Sequence, residues 1–390
     1  MKDKLIRQEP NDSLRHSSTV VRQCQSCSSQ NLEKILFLGY LPLVNTMPRI
    51  GEPPRAEPQY PAQLLSCPQC HLVQMGLVID PKIVFPKDYP YTSGTTKILR
   101  DNFAELCREC RSLLDLQKDD LLIDIGSNDG TLLSNFLLFN KICGITPENA
   151  GYSAIQQGIP TMISYFDDNV THQILKEKGQ AKVMTATNVL AHMDHIHDVM
   201  RNVLKLLCPD GVFISESHYF PSLVQTLQYD AIYHEHVRYY SLSSLKYLFN
   251  QHGLEIFYAK KIPTHGGSIR IYAARKGIYQ VREDVAQILE NEERTILKNN
   301  FLDDFSNKVA LSKLELCSLF LNLKRQGKRI AGIGAPSRAT TLINYTGLSA
   351  EVVEYVVEIK GSKKIGYNIP GTLIPILGEE RLYADQPDYA

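Results

Sequence analysis

Residues 233 to 236 read Tyr-His-Glu-His. Four side chains that hydrogen-bond or exchange protons stand in a row. A buried position must find a partner for each of them, and a solvated surface has no use for two imidazoles. Histidine titrates near neutral pH, so this cluster can move protons there. We take it as the chemical centre of the chain. A zincin needs His-Glu-x-x-His, but after His234-Glu235 the second histidine position is Arg238. The zincin reading therefore fails. If the segment is helical, Tyr233 and His236 share a face. If it is extended, Tyr233 and Glu235 share one face and the two histidines the other. Either geometry gives a histidine base a phenol or carboxylate neighbour.

The chain carries a second chemistry in its cysteines. Cys24-x-x-Cys27 and Cys67-x-x-Cys70 offer four thiolates for a tetrahedral zinc at about 2.3 Å. Four cysteine ligands leave no open position, so the expected zinc is structural. His71 follows directly and is a weaker ligand candidate. Cys107 and Cys110 fall in a helical pattern with no partner pair and read as core or surface thiols. The nine cysteines are clustered and odd in number, and the first residues, MKDKLIRQEPNDSLRHSS, contain no apolar signal run. Metal ligands and free thiols in a reducing cytoplasm are expected rather than a disulfide framework.

Three turns could hold ligands. In LIDIGSNDGTLL, Asp124 ends a buried strand, and Gly126 and Gly130 allow a tight turn before a helix. Backbone N–H groups at Ser127, Asn128 and Asp129 would face a ligand there. The spacing is not Gly-x-Gly-x-x-Gly, which weighs against a nicotinamide cofactor. In TNVLAH, Asn188 and His192 form a strand end and turn directed at the same cleft. Pro263 to Ser268 place His265, Gly267 and Ser268 on a Gly-Gly turn suited to close backbone approach. A further Gly-rich turn, GIGAPSR, precedes a helix carrying Arg338 and Asn344 and could cradle phosphate.

These residues need positioning elements. LLIDIG, KICGIT, AKVMTAT and GVFISES read as buried strands and TLLSNFLLF as the helix after the first. Strands alternating with helices imply an α/β, doubly wound, mostly parallel sheet. The expected organisation is a disordered polar tail at 1–22, a zinc-binding domain at 23–85, a Rossmann-like domain at 86–280, and a helical linker with a second Rossmann-like domain at 281–390. Lys+Arg and Asp+Glu both number 42, which weighs against a nucleic-acid partner. No apolar run approaches the roughly 18–20 residues that span a bilayer, so neither a membrane partner nor an anchored location is expected. A monomer or weak homo-oligomer is expected.

The blocks DYPYTSGT, DIGSNDGTLL, NVLAH, YDAIYHEHVRYYSL, PTHGGSIRIY and GIGAPSRATTLINY occur in an order that resembles the SAM-dependent sugar C-methyltransferases of deoxysugar biosynthesis. The resemblance implies three parts: a zinc-binding domain, a central SAM methyltransferase domain and a C-terminal Rossmann-like domain, with a nucleotide sugar between the last two. It maps the reaction centre onto Tyr89 or Tyr91, His192, Tyr233, Glu235 and His236. S-adenosyl-L-methionine would sit at Tyr91, Asp124, Gly126, Ser127, Asn128, Asp129, Gly130 and Asn188. The sugar nucleotide would meet Tyr91, His265, Gly267, Ser268, Arg338 and Asn344. The acid that usually grips the ribose is Thr146 here, and Glu148 stands two residues later.

The implied reaction removes the carbon-3 proton beside a carbon-4 ketone. His236 is the expected base, Glu235 its orienting acid, and Tyr233 and His192 donors to the enolate oxygen. Competing readings are a C-methyltransferase for a non-sugar carbon acid and a non-catalytic zinc and Rossmann binding protein.

Overall fold

The computed structural model describes residues 18–87, 89, 91–296 and 300–390. Most of the expected tail lies outside the described residues. Its last part does not: β1 (Ser18–Val20) pairs antiparallel with β5 (Leu77–Ile79). The tail therefore ends earlier than residue 22, because Thr19 and Val20 complete the edge of a small sheet.

The N-terminal unit continues with β2 (Glu33–Pro42), β3 (Gln59–Ser66), β4 (Val73–Met75) and, after β5, α1 (Pro81–Val84). Strands β2, β3 and β4 run antiparallel. Ile35, Leu36, Leu38, Ala62, Leu64 and Met75 turn inward to form its core. Each Cys-x-x-Cys sits in the same backbone knuckle. The N–H of Ser28 reaches the Cys24 carbonyl at 2.9 Å, and that of His71 the Cys67 carbonyl at 2.8 Å. Ser28 and His71 both take positive φ, 60° and 59°. His71 is thus a turn residue, and among the described residues the metal-ligand cluster consists of the four cysteines.

The central unit runs α2 (Lys97–Leu113), β6 (Leu121–Ile125), α3 (Thr131–Ser134), β7 (Lys141–Thr146), α4 (Ala150–Gln156), β8 (Thr161–Ile163), α5 (Asp168–Lys178), β9 (Ala181–Thr187), α6 (Ile196–Leu206) and β10 (Leu207–His218). It continues with α7 (Phe220–Gln225), β11 (Arg238–Tyr239), α8 (Leu242–Gln251), β12 (Leu254–Ile262) and β13 (Ser268–Arg275). Its seven-stranded sheet has the order β12-β13-β10-β9-β6-β7-β8. Strands β6 to β10 are parallel, and β13 is antiparallel to both its neighbours. All five residues of β6 are buried, as a parallel sheet covered on both faces requires. The order reverses between β6 and β9, so ligands belong at the carboxyl ends of those strands.

Helix α3 is shorter than TLLSNFLLF predicts. The Asn135 amide turns back onto the Thr131 and Leu132 carbonyls, and Leu138 points to solvent. Cys107 and Cys110 are core thiols on α2. Below the sheet, fully buried Arg270 pairs with Glu216 and Glu109, both at 2.6 Å, and bonds the Asn102 amide oxygen. A buried arginine is tolerated only when its donors are matched. Here the matching fixes α2, and with it the connector that precedes α2, against β10 and β13.

The C-terminal unit comprises α9 (Glu283–Thr295), α10 (Phe301–Arg325), β14 (Gly332–Ile333), α11 (Ser337–Thr346), β15 (Val356–Glu358), β16 (Ile376–Gly378) and α12 (Glu380–Asp385). Its three strands are parallel in the order β14-β15-β16. Buried Glu292 of α9 accepts from the N–H groups of Leu242 and Ser243, the Ser243 hydroxyl and Tyr219. It thereby satisfies the start of α8, where helical N–H groups lack partners.

Candidate active site

The Tyr-His-Glu-His segment is held from three directions. Just after it, β11 pairs with β4 and so joins the sheet of the N-terminal unit. Just before it, Tyr229–Ala231 form one tight helical turn. Sideways, it is stitched to the His192 turn. The Val237 N–H reaches the Ala191 carbonyl at 2.9 Å, and the Arg238 guanidinium reaches the Met193 carbonyl. Arg238, the residue that rules out a zincin, is thus a buried strut.

The segment itself is a turn, closed by the His236 N–H on the Tyr233 carbonyl at 3.0 Å. Tyr233 and His236 share a face, with ring centroids 4.4 Å apart. His234 faces the other way, with its Nε2 3.3 Å from the Pro61 carbonyl and its ring beside Tyr60. It packs the segment onto the N-terminal unit.

His236 bonds the Ala231 carbonyl through Nδ1 at 2.9 Å. That bond fixes the tautomer with the proton on Nδ1 and leaves Nε2 bare. Burial and the neighbouring imidazoles hold its pKa well below the ordinary histidine value. His236 is therefore neutral at pH 7, the form a general base requires. The acid expected to orient it does something else. The Glu235 carboxylate accepts from the Tyr89 hydroxyl at 2.7 Å and the Asn45 amide at 2.6 Å. Glu235 meets the histidines through its backbone, its carbonyl lying 2.6 Å from His192 Nδ1.

His192 was expected to donate to an oxyanion. Its Nδ1 proton is spent on Glu235, and burial pushes its pKa down to about 4. The neutral ring presents an acceptor at Nε2, so that donor role falls away. Burial raises Tyr89 and Tyr233 far above the ordinary phenol value, so both remain protonated donors.

Two further imidazoles complete the cluster. His218, the last residue of β10, stands 5.6 Å from His236 by ring centroid and 5.7 Å from His265. Its Nε2 donates to the His265 carbonyl at 2.8 Å. The sequence reading missed His218. The available signal was its place at the carboxyl end of a buried parallel strand, where ligands bind. It also missed Asn45, which sits just beyond β2 and reaches across from the N-terminal unit.

Burial pushes the Glu235 carboxyl up to about 7, against the opposing pull of Tyr89 and Asn45. Between the ordinary carboxylate value and 7 the folded chain holds a proton that the unfolded chain has released. Stability contributed here therefore falls as pH rises across that window. In urea titrations, Glu235→Gln is expected to gain stability relative to the parent between about pH 5 and 7. A difference independent of pH contradicts the assignment.

The second half of the site lies at the ends of β6 and β9. Gly126 and Gly130 take φ of 74° and 78°, and Asn128 and Asn188 are also positive, at 49° and 56°. A Cβ on Gly126 would lie 2.3 Å from Val189 Cγ2. The turn is therefore possible only with glycine and only under the Asn188–His192 turn. The connector closes it from above. The Ser93 N–H bonds Asn128 Oδ1 at 3.0 Å, the Gly94 N–H bonds Asp129 Oδ2 at 2.8 Å, and Tyr91 offers its carbonyl to Asn128. Asp124 lies below the turn, buried and bonded to the Thr185 hydroxyl at 2.6 Å. It supports the loop rather than lining it. Glu148 reaches back to the Asn128 amide at 2.7 Å, which brings its carboxylate to the loop from two residues beyond Thr146. Buried Ser127 Oγ has no partner among the described residues. A glycine cradle, a reachable acid and an orphaned hydroxyl fit the amino-acid and ribose ends of SAM.

The substrate residues expected on the C-terminal side are brought near the cluster, but several are already engaged. Arg338 forms a two-pronged pair with Asp230, at 2.6 and 3.1 Å. The Asn344 amide holds the Pro370 and Thr340 carbonyls. Ser268 bonds Thr264, and Gly267 receives the Tyr219 N–H. Lys364 is half-buried, and its ammonium donates to the Ala335 carbonyl at 2.6 Å.

At the zinc end, the four Sγ atoms lie within 4.8 Å of one another, with Cys24–Cys70 and Cys27–Cys67 each at 3.4 Å. A tetrahedron with Zn–S of about 2.3 Å has edges of about 3.8 Å. The cage fits zinc and leaves no catalytic position.

Family models match this arrangement part by part: a zinc binding domain at residues 24–85, a methyltransferase domain at 98–259 and a C-methyltransferase C-terminal domain at 263–390. The matched domains are those of a SAM-dependent C-methyltransferase. The C-methyltransferase NovU of Streptomyces niveus is 28% identical over 373 residues, covering 95% of this chain and 88% of NovU. Two solved structures are similar over part of the chain. Magnesium protoporphyrin IX methyltransferase of Synechocystis with bound SAH is 12% identical, covering 45% of this chain and 83% of its own, with a TM-score of 0.36. A SAM-dependent methyltransferase of Clostridium acetobutylicum is 15% identical, covering 47% and 94%, also with a TM-score of 0.36. Among the described residues of this C-methyltransferase, no helix is long and apolar enough to cross a membrane.

The Gly126 geometry gives a direct test of the cofactor site. SAH at 100 times its Kd is expected to stabilise the parent by about 2.7 kcal/mol. Gly126→Ala, strained in φ and against Val189, is expected to lose most of that gain in thermal shift. An unchanged shift contradicts this placement.

Proposed function

We propose that this C-methyltransferase methylates carbon-3 of a nucleotide-activated 4-keto-6-deoxy sugar. The observation that carries the reading is the bare Nε2 of a neutral, half-buried His236, flanked by protonated Tyr233 and by His192 at 4.8 Å. A ketone at carbon-4 acidifies the hydrogen at carbon-3. His236 Nε2 takes that proton, and the C–H electron pair moves into an enolate whose charge rests on the carbon-4 oxygen. Tyr233 donates to that oxygen, while the Tyr89 hydroxyl stays on Glu235. SAM held at the Gly126–Gly130 turn would supply an electrophilic methyl group for carbon-3, its S–CH3 electron pair leaving with sulfur as SAH. The Ala231 carbonyl orients His236 and faces the imidazolium that forms. Glu235 positions Tyr89 and Asn45. The nucleotide is read as lying toward Arg338 and the Gly332–Ser337 turn, where an anion competes with Asp230 for the guanidinium. The division at 23–85, 86–280 and 281–390 belongs to this reading.

The test is a mass-spectrometric screen of 4-keto-6-deoxy nucleotide sugars with SAM. The expected result is a product heavier by one methylene. Turnover of a non-sugar carbon acid, with none of the sugars accepted, refutes the substrate assignment.

A further inference from the structure

The segment that follows β2 crosses from one unit to another. Residues 45–50 belong by chain to the N-terminal unit, yet their partners lie on the C-terminal unit. The Ile50 N–H reaches the Gly366 carbonyl at 3.0 Å, and the Asn368 N–H reaches the Pro48 carbonyl at 2.7 Å. Arg49 lies over the Tyr367 ring, and Met47 packs on the core that holds Ile369 and Ile376. The C-terminal unit therefore sets where this segment sits.

Asn45 begins the segment and joins both units to the reaction centre. Its amide nitrogen donates to Glu235 Oε1 at 2.6 Å, and its amide oxygen accepts from the Ser337 hydroxyl at 3.4 Å. Ser337 starts α11 and ends the Gly332–Ser337 turn. The other Glu235 oxygen accepts from Tyr89. A few residues on, the Ser93 and Gly94 N–H groups hold the Asn128 and Asp129 side chains of the loop after β6. Ser337, Asn45, Glu235 and Tyr89 thus form a line of side-chain hydrogen bonds from the C-terminal turn toward the Gly126–Gly130 turn. An amide can donate at one end and accept at the other. Flipped, it would set its oxygen against the carboxylate, so the line closes in one arrangement only. Lys364, bonded to the Ala335 carbonyl beside Ser337, adds a positive charge that acts on the Glu235 carboxyl against the larger effect of burial.

We propose that Asn45 is a positioning residue that couples the two ligand sites: a nucleotide on the Gly332–Ser337 turn tightens SAM binding at the Gly126–Gly130 turn, and SAM tightens the nucleotide by the same factor. The inference rests on the nucleotide placement given above. A nucleotide that engages this turn fixes Ser337, and through Asn45 and Glu235 it fixes Tyr89. Each ligand acts on the difference between the joined line and the parted one.

Isothermal titration of the full-length, zinc-loaded protein with SAH, alone and with saturating UDP, GDP, CDP or dTDP, tests this. In the parent, the diphosphate that binds is expected to lower the Kd for SAH about 10-fold. Asn45→Ala and Ser337→Ala are each expected to remove that factor while still binding zinc and each ligand singly. Ser337→Thr, which keeps the hydroxyl, is expected to retain it. If Asn45→Ala loses zinc or folds poorly, the Ser337 pair decides. An SAH Kd in the parent that is the same with and without a bound diphosphate overturns the proposal. Full coupling in the alanine variants, or a loss in Ser337→Thr equal to that in Ser337→Ala, also overturns it. A parent that binds none of these diphosphates refutes the nucleotide placement itself, and the coupling with it.

Discussion

His236→Asn is expected to lower kcat by about 10²–10⁴-fold, the range lost with a positioned general base. The choice of asparagine matters. Its amide can still donate to the Ala231 carbonyl, so the turn between Tyr233 and His236 stays closed. The apparent affinity for the nucleotide sugar and the SAH thermal shift are expected to stay near parent values. A loss confined to kcat is the signature of a group used in the transition state. His192→Asn is expected to cost less, because His192 meets the segment through the Glu235 backbone. If both variants lose equally, the base assignment is wrong and the pair acts as a unit. If His236→Asn keeps full turnover, the proton is taken elsewhere.

The second large effect is expected from the zinc site, far from any reacting atom. Cys70→Ser, or prolonged chelation, is expected to release one zinc per chain and lower Tm by roughly 10 °C, as loss of several kcal/mol does in a chain of this size. Activity is expected to vanish with it. The reason is the path from the cage to the base. The Gln74 side chain clamps the Gln23 carbonyl and the Gln25 N–H beside Cys24. Gln74 belongs to β4, which pairs with β11 directly after His236. Asn45, on the same unit, holds Glu235. Without the cage, β4 has no fixed position and β11 loses its partner. Hydrogen exchange should show the β11 amides opening on zinc removal. Protected β11 amides in an inactive, zinc-free protein would break this link.

Local patterns carried much of this into the sequence. The paired knuckles, the Gly126 turn and the strand run from Leu121 were readable because each is fixed by neighbours a few residues away. What was not readable came from long-range contacts. Asn45 and Glu235 are 190 residues apart and meet only because β11 joins the N-terminal sheet. His236 and Glu235 are adjacent in sequence, and adjacency made the carboxylate look like the orienting acid. The turn sends the two side chains to different partners. His218 carried no motif of its own, and its role depends on the Gly-Gly turn that brings the His265 carbonyl to it. Arg338 read as an open anion site, while the fold pairs it with Asp230.

The role proposed for His236 is to make a carbanion-type nucleophile at carbon-3. It is tested most directly by following hydrogen exchange at that carbon without methyl transfer. The 4-keto-6-deoxy nucleotide sugar would be incubated in D2O with the SAH-bound enzyme and read by proton NMR. The carbon-3 proton signal is expected to disappear at a rate that collapses in His236→Asn. No exchange by a folded, SAH-bound parent, or equal exchange by His236→Asn, would contradict it.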